Sequence, residues 1–244
     1  MGAAMDQKEI DTFLVLADIS GYTDFMSFNR QEITHAQHVV SALIEAVLDA
    51  APDNLIANKL EGDAIFLHAP DGQDAGRKVA QAAVRFFDAF DDKRRQMVLT
   101  NACPCRACAR IRLLDLKVLV HFGRALLYRL KRFEELSGFD VVLAHRLLKN
   151  SVPSRRYLLA SRPAWERFAD AGPENARAHN EAYEGVGMIE SMVALIPADP
   201  ALLPDDVAPA RGWARLKDIA VKHAAEFLFP LGLRKPPGWG DLNP

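Results

Sequence analysis

Two aspartates, each set beside a glycine at the end of an apolar run, are the groups in this sequence best suited to chemistry. In residues 13–23, Phe-Leu-Val-Leu-Ala-Asp-Ile-Ser-Gly-Tyr-Thr, five apolar residues rich in β formers run into Asp18, a small polar residue and a glycine. That pattern reads as a buried strand ending in a tight turn, with a helix starting just after it. A carboxylate at such a strand end is held by a rigid sheet yet faces a cleft. Asp18 can therefore hold a hard cation while the Gly21 backbone approaches a phosphate, or it can simply cap the next helix. In residues 59–66, Lys-Leu-Glu-Gly-Asp-Ala-Ile-Phe, Asp63 sits in a Gly-Asp turn between the apolar runs 54–60 and 64–68, which predicts a β-hairpin. Two strand-borne aspartates in neighbouring sheet positions suit a two-metal phosphoryl-transfer site, whose cations lie only ~4 Å apart.

A second cluster is softer. Cys103, Cys105 and Cys108 are the chain's 3 cysteines, an odd number in one short stretch, which is not a disulfide framework. Three thiolates in a Cys-x-Cys-x-x-Cys loop can surround one zinc ion, with His121 or His145 as the fourth ligand; the alternative is three reduced thiols in a loop. Arg106, Arg110 and Arg112 favour thiolate over thiol, and a structural zinc would order a loop with little apolar content of its own. His35 and His38 lie three apart on a predicted helix and can share a face, as metal ligands or as partly buried hydrogen-bonded histidines.

The elements that must position these groups follow from hydrophobic spacing. Short and long helices are predicted over 22–29 and 31–50, the second with Ile33, Ala36, Val40, Leu43 and Val47 on one face. The hairpin 54–69 is followed by a helix of about 25 residues from Asp74, with Val79, Ala82, Ala83, Phe86, Phe87 and Phe90 on its apolar side. Residues 113–127 form an apolar run broken by Gly123, which suggests two strands or one bent strand. Gly138 opens a helix through Asn150, residues 156–160 read as a strand, 163–170 as a short helix and 185–196 as a strand. A proline-rich connector over 197–209 and an amphipathic helix over 211–229 complete the pattern. The order fits an α+β sandwich with helices on one face of a mainly antiparallel sheet.

At 244 residues, half of them hydrophobic, the chain can bury a full core as one domain plus an extension. A formal charge of −2 gives no support to a nucleic-acid or membrane-surface role, and the basic stretches Lys93-Arg94-Arg95 and 129–132 read as solvated faces. Residues 1–9 lack the apolar core of a signal peptide, and no run approaches the ~20 apolar residues of a membrane span, so a cytoplasmic protein is expected.

Four motifs, in order, give the sequence a family resemblance. Residues 18–23, Asp-Ile-Ser-Gly-Tyr-Thr, resemble the Asp-Ile-x-Gly-Phe-Thr signature of class III adenylate and guanylate cyclase catalytic domains. Lys59-x-x-Gly62-Asp63 resembles their hairpin and His121-Phe122-Gly123 their His-x-Gly strand. Gly138-x-x-Val141-x-x-Ala144-x-Arg146-Leu147 is similar to their Gly-x-x-Val-Asn-x-Ala-x-Arg-Leu helix. A closer similarity, through the cysteine insert and Ala-His-Arg-Leu-Leu-Lys-Asn at 144–150, is to an uncharacterised bacterial cyclase-like branch, the domain of unknown function 2652 family.

The resemblance implies a ferredoxin-like, cyclase-type α+β sandwich over residues 10–170 and a C-terminal extension over 171–244. It implies two Mg or Mn ions on Asp18 and Asp63, assisted by the Ile19 carbonyl. Backbone groups of Ser20, Gly21, Tyr22 and Thr23 would bind phosphate, Lys59 and Glu135 the purine of ATP or GTP, and Arg146 the transition-state charge. The sites would be completed across a homodimer. The sequence departs from the family at Val142, where the family has a ribose-orienting asparagine; losing such a group costs on the order of 10²-fold in rate. What the resemblance implies is thus a nucleotidyl cyclase of reduced activity, or a catalytically inactive cyclase-fold regulatory or ligand-binding module.

Overall fold

The computed structural model describes residues 7–30, 32–100 and 106–198. The expected amphipathic helix at 211–229, nearly all of the proline-rich connector, and both Cys103 and Cys105 lie outside them. The strands are β1 (Gln7–Ser20), β2 (Ile56–Glu61), β3 (Ala64–Pro70), β4 (Asp115–Leu130), β5 (Phe133–Ser137), β6 (Tyr157–Ser161), β7 (Arg177–Tyr183) and β8 (Gly187–Leu195). The helices are α1 (Tyr22–Phe28), α2 (Ile33–Asp49), α3 (Ala75–Thr100), α4 (Arg106–Ala109), α5 (Phe139–Leu147) and α6 (Arg162–Trp165). None is long and apolar enough to cross a membrane.

The described residues divide into two compact units, 7–20, 47–89 and 115–198 in one and 21–30, 32–46, 90–100 and 106–114 in the other. The first unit is one sheet in the order β2-β3-β1-β4-β6-β8-β7, with β5 also paired to β4. All pairs are antiparallel except β4 with β6, which α5 links by a crossover. Phe13, Leu14, Val15 and Leu16 are all fully buried although successive side chains point to opposite faces, so β1 is covered on both. On one face Leu14, Leu16, Phe66, Leu119 and Leu159 pack with Val141, Ala144 and Leu147 of α5, whose three- and six-residue spacing makes a single helical stripe. On the other, the Phe13 and Phe122 rings meet edge to face at 4.8 Å and the Arg167 guanidinium lies over Phe122. Gly76 of α3 abuts the Arg167 backbone so closely that a Cβ would lie 2.0 Å from its carbonyl oxygen, which fixes the start of α3 there.

Within the second unit, Arg94 pairs with Asp91 at 2.8 Å and donates to the Leu114 carbonyl, both side chains buried. Arg110 stacks on Phe28, and Glu32 accepts from the Ala107 N–H. Cys108 is buried in α4.

Several features differ from the sequence reading. Arg94, expected on a solvated basic face, is instead buried and paired with Asp91. Gly123 does not break its strand: β4 runs unbroken from Asp115 to Leu130, and the glycine is needed for clearance, because a Cβ would lie 2.3 Å from Asp140 Cγ. The helix opened by Gly138 ends at Leu147, short of the expected Asn150, whose side chain donates to the Leu147 carbonyl at 2.7 Å and so closes the end. The sheet also continues past residue 170, since β8 pairs with β6 and β7 with β8. β7, Arg-Ala-His-Asn-Glu-Ala-Tyr, lies on the sheet edge and shows no apolar alternation, so pattern alone does not announce it.

Candidate active site

Strand register builds the site. Asp18 at the end of β1 is opposite Ala64 of β3 on one side and Lys117 of β4 on the other, and Lys117 is opposite Tyr157 of β6. Directly opposed residues share a face, so Asp18, Lys117 and Tyr157 form a polar row at the end of the apolar face that carries α5. Asp63 enters from the β2–β3 turn, where Gly62 takes φ 70 and the Asp63 carbonyl accepts from the Ile19 N–H at 3.3 Å. That bond ties the two aspartate-bearing strand ends together.

The electrostatics follow from this convergence. Burial, and then the charge of Asp18, push the Asp63 carboxyl up to about 6. Lys117 Nζ lies 2.9 Å from Asp18 Oδ2. Burial works against the Lys117 ammonium, yet the hydrogen bond and charge of Asp18 outweigh it and hold its pKa above the ordinary lysine value. Asp18 does not cap a helix: Gly21, in the left-handed region at φ 87, is the N-cap of α1, with no side-chain cap. Ser20 is buried, Tyr22 is half-buried and Thr23 is exposed.

A second polar group lies where β2 meets β5 and α5. Lys59 Nζ is 3.1 Å from Glu61 and 3.8 Å from Glu135, and it sits over the Phe66 ring. Lys59 and Glu135 are thus brought together, with Glu61 as an added partner. His145 of α5 reaches Glu61 through Nε2 at 3.0 Å and the Val141 carbonyl through Nδ1 at 2.8 Å. Burial raises the Glu61 pKa, but the Lys59 hydrogen bond and the charge and hydrogen bond of His145 bring it below the usual value. Arg146 and Val142 are both exposed on α5.

His121 explains the His-x-Gly strand. Its Nδ1 lies 2.7 Å from Ser161 Oγ and its Nε2 3.1 Å from Asp140 Oδ1, while Asp140 Oδ2 accepts from the Arg124 N–H at 2.7 Å. The Ser-His-Asp order invites a hydrolytic reading, but Ser161 is only 1% exposed, so the trio anchors the start of α5 to β4 and β6. Burial holds the His121 pKa below its usual value. His121 and His145 each use both ring nitrogens within the sheet unit. Cys103 and Cys105 lie outside the described residues.

Lys117 and Tyr157 were missed from sequence, although one charge inside the apolar strand 116–122 was a signal for the first. Asn150 holds Tyr157 by donating to its hydroxyl at 2.8 Å and accepting from it at 3.0 Å. This gives the 144–150 stretch a structural task.

The fold is that of class III nucleotidyl cyclase catalytic domains. The crystal structure of the guanylyl cyclase Cya2 matches with a TM-score of 0.60 and 16% identity over 86% of this chain and 100% of that one. The adenylyl cyclase CyaB from P. aeruginosa matches with a TM-score of 0.57 and 11% identity over 80% and 97%. The guanylate cyclase domain of RhGC from Catenaria anguillulae, solved with GTP, gives 0.53 and 13% over 76% and 97%. Residues 40–157 match the family described as protein of unknown function (DUF2652). The Mycobacterium tuberculosis uncharacterized protein Rv2561/Rv2562 is 32% identical over 198 residues, 80% of this chain and 91% of its own length. The chain belongs to that DUF2652 family.

Proposed function

We propose that this protein binds a nucleoside triphosphate together with divalent cations at Asp18 and Asp63, as a cyclase-like homodimer of low turnover. The observation that carries the reading is the convergence of the two carboxylates, close enough for the Asp18 charge to raise the Asp63 pKa. The donor set fits the metal. Among the described residues no group of three or more His, Cys, Asp or Glu side chains makes a closed ligand cage. An all-oxygen pair of carboxylates suits magnesium or manganese, which keep water and substrate phosphates as further ligands.

The chain's own residues divide the remaining work. Asp18 and Asp63 hold the ions, and the turn from Ser20 to Thr23 presents backbone N–H groups to phosphate oxygens. Lys59 and Glu135 offer a donor and an acceptor to a purine edge, positioned by Glu61 and Phe66. Arg146, exposed on α5, is free to meet phosphoryl oxygens, across a dimer in the cyclase arrangement. When bound, the ions neutralise the triphosphate and acidify the attacking ribose hydroxyl. Val142 has no donor or acceptor for the ribose, which supports slow cyclisation to a cyclic nucleotide and pyrophosphate.

The test is titration of ATP and of GTP, with manganese, into the pure protein and its Asp18→Ala and Asp63→Ala variants. Metal-dependent binding lost in both variants is expected; no binding, or binding indifferent to both substitutions, sinks the reading. Val142, an apolar side chain 51% exposed on the face that carries Arg146, favours a second reading, a cyclase-fold module that binds nucleotide without turnover. Formation of cyclic nucleotide abolished by Asp63→Ala rejects that second reading.

A further inference from the structure

We propose that Lys117 is a tethered counter-ion for Asp18, a cation built into the chain that a divalent metal must displace, so that metal and polyphosphate bind cooperatively. The inference rests on the reading of Asp18 and Asp63 as metal ligands. Register sets Lys117 directly opposite Asp18, and its Nζ reaches Oδ2 at 2.9 Å with the two side chains 21% and 16% exposed. On its other flank stands Tyr157, buried and held through its hydroxyl by Asn150 in both directions. The ammonium is therefore confined between a carboxylate and a fixed phenol, rather than waving from a surface.

The consequence is a competition of charges. A divalent ion on Asp18 brings two positive charges to the oxygens that Lys117 already neutralises, and in a partly buried setting that repulsion is poorly screened. The four-carbon stem lets the ammonium swing away, but an ammonium left unpaired in a sheltered place is unfavourable. A polyphosphate arriving with the metal supplies the replacement anion. Metal alone is then bound weakly, and metal with nucleotide is bound well, because each removes the obstacle to the other.

The experiment compares Mn²⁺ binding, read from the free-ion electron paramagnetic resonance signal, in the wild-type protein and in Lys117→Met, with and without ATP. Lys117→Met should bind Mn²⁺ alone about fivefold more tightly, the upper scale of one partly exposed ion pair, and the enhancement by ATP should shrink. Lys117→Arg, which keeps the charge, should behave as wild type. A merely structural lysine would not move the coupling between Mn²⁺ and ATP. Lys117→Gln gives the same readout should the methionine variant fail a thermal-melt check of folding. Wild type that binds Mn²⁺ alone as tightly as the neutral variants overturns the counter-ion role while leaving the metal site standing. If no form binds Mn²⁺ even with ATP, both the metal reading and this inference fall.

Discussion

Substituting three glycines separates two reasons a glycine is needed. At Gly123 the reason is space: a Cβ would sit 2.3 Å from Asp140 Cγ, 2.4 Å from Oδ2 and 2.6 Å from Cβ. Rotating the Asp140 side chain clears the first two contacts but not the third, so Gly123→Ala has to move the first turn of α5. Overpacking of this kind costs about 1–3 kcal/mol. Moving Asp140 also strains its charged hydrogen bond to the Arg124 N–H and its bond to His121, worth about 1.5–3 kcal/mol where the acceptor is ionised. Allowing for overlap between the two effects, Gly123→Ala should lose about 3 kcal/mol, or roughly 6–12 °C in Tm for a chain of this size.

At Gly62 the reason is conformation, since φ is +70 and nothing lies within 4 Å of an added Cβ. Gly62→Ala should cost about 1 kcal/mol. Gly72 has neither constraint, and Gly72→Ala should be neutral or stabilising by up to about 1 kcal/mol through the unfolded chain. Urea and thermal unfolding of the three variants check the ranking. A Gly123→Ala protein within about 1 kcal/mol of wild type, or no worse than Gly72→Ala, refutes the reasoning. It would remove clearance for Asp140 as the reason that strand carries a glycine.

Two pH experiments follow from the buried groups. The Asp63 pKa is raised from 3.8 to about 6, so the native state holds a proton that the unfolded chain releases, and stability is lost as pH rises through 6. Asp63→Asn should therefore raise Tm at pH 8 by more than at pH 4; an equal difference at both pH values contradicts the burial and Asp18 effect. Burial lowers the pKa of His68, whose buried Nδ1 has no hydrogen-bond partner among the described residues, so the folded state resists its protonation and loses stability as pH falls below 6.5. His68→Leu should flatten the pH dependence of urea unfolding between pH 7 and 5, and an unchanged slope would assign that dependence elsewhere.

The central strands were legible because they are nearly saturated with apolar residues: residues 13–17 and 64–67 can only be buried, and the glycines that follow or precede them can only turn. The same holds for α5, where Val141, Ala144 and Leu147 declare one face. What the sequence hid was whatever depends on pairing across the sheet. Lys117 gains its partner only when the register sets it against Asp18, and the pairing of His145 with Glu61, 84 positions earlier and 3.0 Å away, has no sequence signal. β7 was hidden for a related reason, since an edge strand with polar residues on both faces has no period to read.

Motif matching also carries less than it suggests about chemistry. His121 and Gly123 match the cyclase strand, yet in this structure both act on the fold: the histidine ties β4 to Ser161 and Asp140, and the glycine leaves room for Asp140. Their presence is required for the sheet and α5 to meet correctly whether or not the protein turns over a nucleotide. Val142 and Arg146 are under no such constraint, because both are exposed on α5 and neither supports the core. Residues of that kind report function rather than folding, and here they divide: Arg146 keeps the cyclase pattern and Val142 abandons it. On the proposed reading, a cyclase fold that keeps Asp18 and Asp63 but has Val142 in place of a ribose-holding asparagine is a binding site first, with turnover limited by how the ribose is oriented.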